Sequence, residues 1–197
     1  NTGGFISGYR GSPLGMYDNA LWGARRYLKE NNIDTVIHLG DIVDRRKFIN
    51  YIILNRWRNK FFGRLKEMNV KLHVLVGNHD VPYVYKNLYT ALKCSGVTKD
   101  KAYAIREVFN GKIDYTNIKL VHVCRFPGVQ PIVLSHAGIS KYHFGDILTG
   151  EINLDKVESE CAKVMQTMHA GMSDPILEAG ICRGGELQIG GVTWLDW

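Results

Sequence analysis

Three polar motifs, each closing a run of β-branched and apolar residues, hold the side chains of this chain that could do chemistry. They are Asp34-Thr-Val-Ile-His-Leu-Gly-Asp41, continuing to Asp44-Arg45-Arg46; Lys71-Leu-His-Val-Leu-Val-Gly-Asn78-His79-Asp80; and Pro131-Ile-Val-Leu-Ser-His136-Ala-Gly138. In each, a buried-type strand stops and a turn presents a carboxylate, an amide or an imidazole at its carboxyl end. That is the edge at which α/β sheets bind ligands. A carboxylate at Asp41 can bridge two divalent cations, one oxygen to each. Asn78 adds a neutral amide oxygen and His136 an imidazole nitrogen, a mixed donor set that suits Mn, Fe or Zn better than Ca. His79 would face the same space without ligating. With Asp44 accepting a hydrogen bond from its ring, it could protonate a leaving alkoxide. Arg45 could clamp phosphate oxygens with its guanidinium fork. Bound metals lower the pKa of water toward about 7 and stabilise an in-line displacement. The reaction these types imply is metal-assisted phosphoester hydrolysis.

Taken singly, the motifs have ordinary readings. Gly-Asp-x-x-Asp is often a turn with a helix cap, Gly-Asn-His-Asp is turn chemistry, and an isolated His136 would be a core or loop histidine. The conjunction, in order and each after a strand, points to a metal site. His38, His73 and His122 sit inside strands and read as structural.

The elements that must position these residues alternate. Residues 17–30 read as a helix with Asp18 as N-cap and Leu21, Ala24 and Leu28 on one face. A strand follows to Leu39. A long helix is expected over 47–68, with Leu54, Trp57, Phe61, Leu65 and Met68 as its buried stripe. The strand 71–76 closes a β-α-β unit, which handedness makes a right-handed parallel crossover. A short helix near 86–94 and an extension at 103–109 come next. Ile118–Cys124 reads as a strand, and Gly128–Leu134 contains another. The spacing of Leu154, Val157, Cys161, Val164 and Met168 predicts a helix over 154–169. A strand is expected near 187–194 within a glycine-rich tail.

At 197 residues the chain can bury one sizeable core. Its 45% hydrophobic and 22% charged content is that of a soluble globular protein. No apolar run approaches the ~18–20 residues of a membrane span, and no charged-then-apolar leader opens the chain, so no membrane partner and a cytoplasmic location are expected. Cys94, Cys124, Cys161 and Cys182 match no zinc-binding spacing. Buried free thiols in a reducing compartment are the expectation. Net charge is +6, and between Arg45 and Lys71 nine basic residues face one acid, Glu67. That stretch is either a solvated helix face or a surface for DNA.

Gly-Asp-Ile-Val-Asp-Arg at 40–45, Gly-Asn-His-Asp at 77–80 and Leu-Ser-His-Ala-Gly-Ile at 134–139 resemble the central motifs of the calcineurin-like metallophosphoesterases. Residues 34–82, including Arg-Arg-Lys-Phe-Ile-Asn-Tyr, most resemble SbcD-type DNA exonuclease subunits of phages. Residues 118–197, through Ser-His-Ala-Gly-Ile-Ser and the terminal Trp-Leu-Asp-Trp, look more like phage and bacterial serine/threonine phosphatases. The resemblance implies an α/β/β/α sandwich over residues 33–197. It implies Asp41 as bridging ligand, Asn78 and His136 on one metal, most readily Mn, and His79 as general acid paired with Asp44. Arg45, and Arg183 in the tail, would contact substrate phosphate. A phosphorylated protein or small phosphoester would be the partner.

Two family motifs have no counterpart here. No Asp-x-His precedes residue 34, and the late Gly-His would fall beyond Trp197. One metal site is therefore expected nearly whole and the other to keep Asp41 alone, with the sandwich incomplete at both ends and the chain a fragment or mosaic. A catalytically impaired fold that serves as a binding module is the alternative from outside the enzyme class. Residues 1–32 form a separate glycine-rich segment plus helix. Gly-Phe-Ile-Ser-Gly-Tyr-Arg-Gly-Ser-Pro-Leu-Gly there resembles the start of indolepyruvate ferredoxin oxidoreductases, which use thiamine diphosphate. Such a short piece cannot form that cofactor site alone.

Overall fold

A computed structural model describes residues 26–41, 59, 63–84 and 118–195. Residues 26–30 are helical, and the strand β1 (Thr35–His38) follows. Then come α1 (Gly63–Glu67), β2 (Lys71–Leu75) and α2 (Val81–Val84). The third sequence motif lies among β3 (Ile118–Lys119), β4 (Val121–Cys124) and β5 (Ile132–Ser135). Beyond it lie α3 (Lys141–Phe144) and α4 (Leu154–His169). Short 3-10 turns occupy Gly145–Leu148, Pro175–Leu177 and Ile181–Arg183. The result is an α/β fold of the expected class.

β1, β2 and β3 form a parallel sheet in that order, with Thr35 opposite Lys71 and Val74 opposite Ile118. β1 and β2 are neighbours and parallel, as the β-α-β reading requires. Of the long helix expected between them, residues 59 and 63–68 are described, and Gly63–Glu67 are α-helical. Leu65 is buried there, with Met68 packed at its edge. The expected elements at 17–25, 47–58, 86–94 and 103–109 lie outside the described residues.

The apolar run expected as one strand over 118–124 serves two sheets. Its first two residues pair in parallel with β2, and Val121–Cys124 pair antiparallel with β5. The run changes sheets at Leu120, which is fully buried. A single β-branched segment thereby fixes the second sheet relative to the first.

Helix α4 has the predicted bounds. Asn153 caps it by accepting a hydrogen bond from the Lys156 amide at 3.0 Å, and Asp155 sits in its first turn where the helix dipole favours an acid. Gly171, at φ 79°, ends it in a Schellman turn: its amide donates to Met168 O, and the Met172 amide to Thr167 O. Val157, Cys161, Val164, Met165 and Met168 are buried in the main core with Val74, Val76 and Leu120. Glu158 on the same helix accepts from the Val123 amide at 3.1 Å and pairs with Arg125 at 2.9 Å, so α4 is bonded to β4 as well as packed on the core. A smaller core joins Leu28, Val36, Leu65 and Val70.

The strand expected near 187–194 is absent. One isolated bridge joins Gly180 to Leu187, and residues 192–194 form a turn. A Cβ at Gly185 would stand 1.8 Å from Ala179 O, and one at Gly191 1.9 Å from Ile176 O. The glycines there let backbone lie on backbone in an irregular stack where a pleated ladder would need side chains. The thiols also divide: Cys161 is buried as expected, Cys124 is half-buried, and Cys182 is exposed.

Candidate metal centre

The turns after β1, β2 and β5 meet at one place. Gly40 and Asp41 both take the left-handed region, at φ 94° and 56°. Glycine does so freely and aspartate better than most residues. The double turn lifts the Asp41 carboxylate off the end of β1. Close approach to the neighbouring turn explains both glycines. A Cβ on Gly40 would stand 2.6 Å from the Gly77 nitrogen, and one on Gly77 2.3 Å from Asp41 Oδ1.

Around this turn the backbone amides are answered by side chains. The Gly40 amide donates to His38 Nδ1 at 3.1 Å. That bond requires a ring unprotonated at Nδ1, in keeping with burial and the nearby His136 imidazole, which push His38 down to about 4. His38 thus shapes the site turn, beyond the purely structural role read from its strand position. The Asp41 amide donates to Asp80 Oδ2 at 2.7 Å, and the Gly77 amide donates to the same oxygen at 3.0 Å. The His79 amide donates in turn to Asp41 Oδ1 at 3.2 Å.

His136, from the turn after β5, completes the group. Its Nδ1 lies 2.7 Å from Leu39 O. A carbonyl oxygen only accepts, so Nδ1 carries a proton, and Nε2 is the ring nitrogen turned toward the other two turns. Nε2 then stands 3.0 Å from Asn78 Oδ1 and 3.5 Å from Asp41 Oδ1. One side chain from each of three turns thus converges on a common point, and with Nε2 unprotonated the three could together hold a cation. The set is imidazole nitrogen, amide oxygen and carboxylate oxygen, and it fits a borderline divalent ion. The Asp41 and His136 side chains are 19% and 17% exposed, enough for an ion to enter from solvent, whereas Asn78 is buried. Among the described residues no three His, Cys, Asp or Glu side chains gather as a metal cluster. Here the third donor is an amide.

His79 lies beside this group, its ring centroid 6.4 Å from that of Trp194 and tilted by 43°. The Trp194 turn reaches the site because the Ala137 amide donates to Val192 O at 3.1 Å. Of the residues singled out in the sequence, the structure brings Asp41, Asn78 and His136 together, with the His79 amide on Asp41 Oδ1. Sequence reasoning assigned nothing to Asp80 or Trp194. Asp80 had a legible signal, an acid closing a Gly-Asn-His-Asp turn, but that pattern also describes any polar turn. Arg183 is exposed at the end of its 3-10 turn. Asp44 and Arg45 lie outside the described residues.

Comparison with known proteins decides the family. The calcineurin-like phosphoesterase family model matches residues 15–178. The chain belongs to the calcineurin-like phosphoesterase family. Membership implies divalent metal ions, and the imidazole, amide and carboxylate groups that converge here are of types that bind them. The chain is also similar to exonuclease subunit 1 of Enterobacteria phage T4, 35% identical over 69 residues. The matched stretch is 35% of this chain and 20% of that relative, so the chain spans about a fifth of the relative's length. Among the described residues no helix is long and apolar enough to cross a membrane.

Proposed function

We propose that this calcineurin-like phosphoesterase hydrolyses phosphomonoesters, such as those of a phosphoprotein, at a divalent-metal site held by Asp41, Asn78 and His136. The observation that carries the reading is the meeting of His136 Nε2 with Asn78 Oδ1 and Asp41 Oδ1. When bound, a divalent cation such as Mn supplies charge stabilisation to the phosphoryl group and acidifies the attacking water. The chain's own residues do the rest. The Leu39 carbonyl orients His136. His79 holds a proton for the leaving oxygen, with Asp44 to align its ring. Arg45, and more remotely Arg183, would bind phosphate oxygens.

A second reading, a DNA exonuclease subunit, is favoured by the similarity to the phage T4 exonuclease subunit and by the basic residues between Arg45 and Lys71. Both readings use the same site and differ in what flanks the phosphate. The test is Mn-dependent turnover of nitrophenyl phosphate and of single-stranded DNA by the same preparation, beside Asp41→Asn. Monoester turnover lost in Asp41→Asn supports the first reading, and DNA degradation alone supports the second. Turnover of neither substrate overturns both and leaves a binding role.

A further inference from the structure

The turns after β1 and β2 hold one another by an exchange of carboxylates. Asp80 Oδ2, from the second turn, accepts the Asp41 amide at 2.7 Å, and Asp41 Oδ1, from the first, accepts the His79 amide at 3.2 Å. The same Asp80 oxygen also takes the Gly77 amide at 3.0 Å, so it closes its own turn while gripping the neighbouring one. Asp80 is 3% exposed. A carboxylate so buried is costly unless it is hydrogen-bonded, and here it is bonded to two amides aimed at one oxygen.

The grip has a specific consequence. Asp41 is a non-glycine residue at φ 56°, a conformation costing on the order of 1–3 kcal/mol when unsupported. Its amide is committed to Asp80, and a relaxed backbone would turn that amide away. Rotating the turn would also swing the Asp41 carboxylate off the His79 amide and out of the space before His136 Nε2, 3.5 Å distant. Gly40 and Gly77 permit the approach, since any Cβ would collide, but they supply no attraction. Asp80 supplies it.

We infer that Asp80 is the positioning residue of the metal centre, acting through the Asp41 and Gly77 amides to set the Asp41 carboxylate against Asn78 and His136. The inference rests on the reading of Asp41 as a metal ligand. A plain turn-closing role would need the Gly77 bond alone. The bond to Asp41, 39 residues away in sequence, is what ties Asp80 to the ligand.

The test uses the full chain, metal-free, as wild type, Asp80→Asn, Asp80→Ala and Asp41→Asn. Two quantities are read: Mn affinity by calorimetry, and hydrogen exchange of the Asp41 amide before any metal is added. Asp80→Asn keeps an acceptor oxygen and the side-chain shape while removing the charge, so it decides the matter if Asp80→Ala does not fold. The expected result is Mn binding weaker by about 10–100-fold in Asp80→Asn, the range found when partners behind metal ligands are replaced. Faster exchange at the Asp41 amide should accompany it. Wild-type Mn affinity in Asp80→Asn, with binding lost in Asp41→Asn, would overturn the positioning role and leave the ligand reading intact. Wild-type affinity in Asp41→Asn as well would overturn both.

Discussion

His73 on β2 and His122 on β4 stack nearly face to face, their ring centroids 4.4 Å apart and their planes 23° from parallel. The contact joins the parallel sheet to the antiparallel one. His73 Nδ1 is buried without a hydrogen-bond partner among the described residues, and Lys119 Nζ stands 3.5 Å from His122 Nδ1. Burial, then His122, Lys119 and Lys71, push His73 down from 6.5 to about 4. Burial and then Lys119 lower His122 too, with Arg125 adding to this and Glu158 opposing it.

A pH dependence of stability follows from this pair. Both imidazoles are harder to protonate folded than unfolded, so between about 6.5 and 4 the unfolded chain binds more protons. The stability they contribute is whole above 6.5 and is lost as pH falls toward 4. Urea midpoints of the metal-free chain should fall across that window, and His73→Phe, which keeps a stacked ring, should flatten the fall. An unchanged slope in the variant would contradict the assignment.

A glycine of the site turns and one of helix α1 should respond unequally to a side chain. A Cβ on Gly77 meets Asp41 Oδ1 at 2.3 Å, whereas one on Gly63 meets nothing within 4 Å. Gly77→Ala should lower stability by about 1–3 kcal/mol, the usual cost of overpacking, and weaken Mn binding with it. Gly63→Ala, in α1, should be neutral or stabilising by up to about 1 kcal/mol. Denaturation and metal titration of the pair check this.

Proton delivery by His79 predicts a dependence on the leaving group. His79→Gln should lower kcat on an alkyl phosphate by roughly 10²–10⁴-fold, the usual worth of general acid catalysis. The loss should be smaller on nitrophenyl phosphate, whose leaving group departs without a proton, and Mn binding should be kept. Equal losses on the two substrates would remove the acid role from His79.

At the point where the 118–124 run passes from one sheet to the other, Leu120 is fully buried. Leu120→Ala should cost about 2–5 kcal/mol, as buried leucine truncations do. Its unfolding should remain a single transition, because that residue belongs to the core shared by β2, β4 and α4.

Much of this was legible in the sequence where one period dominates. The apolar stripe of α4 gave its bounds because residues at i, i+3 and i+4 can bury together only on a helix. β1 and β2 were legible as β-branched runs ending in polar turns, which carry Asp41 and Asn78. The change of sheet at Leu120 was not, since a continuous apolar run carries no mark of where its pairing partner changes. The 181–197 tail was expected to be mostly loop with a strand near 187–194, and the strand fails because Gly185, Gly190 and Gly191 serve close backbone contacts visible only in three dimensions. Asp80 went unassigned because its partner, the Asp41 amide, is distant in sequence and a main-chain donor leaves no residue signature.

The central claim, that Asp41, Asn78 and His136 form one divalent-metal site, is tested most directly by titrating the metal-free chain with Mn in a calorimeter. Wild type, Asn78→Ala and His136→Ala should be run side by side. The account predicts saturable binding in the wild type that each substitution weakens by at least about tenfold, with the folded circular-dichroism signal retained. Absence of binding in the wild type, or equal affinity in all three proteins, would contradict it.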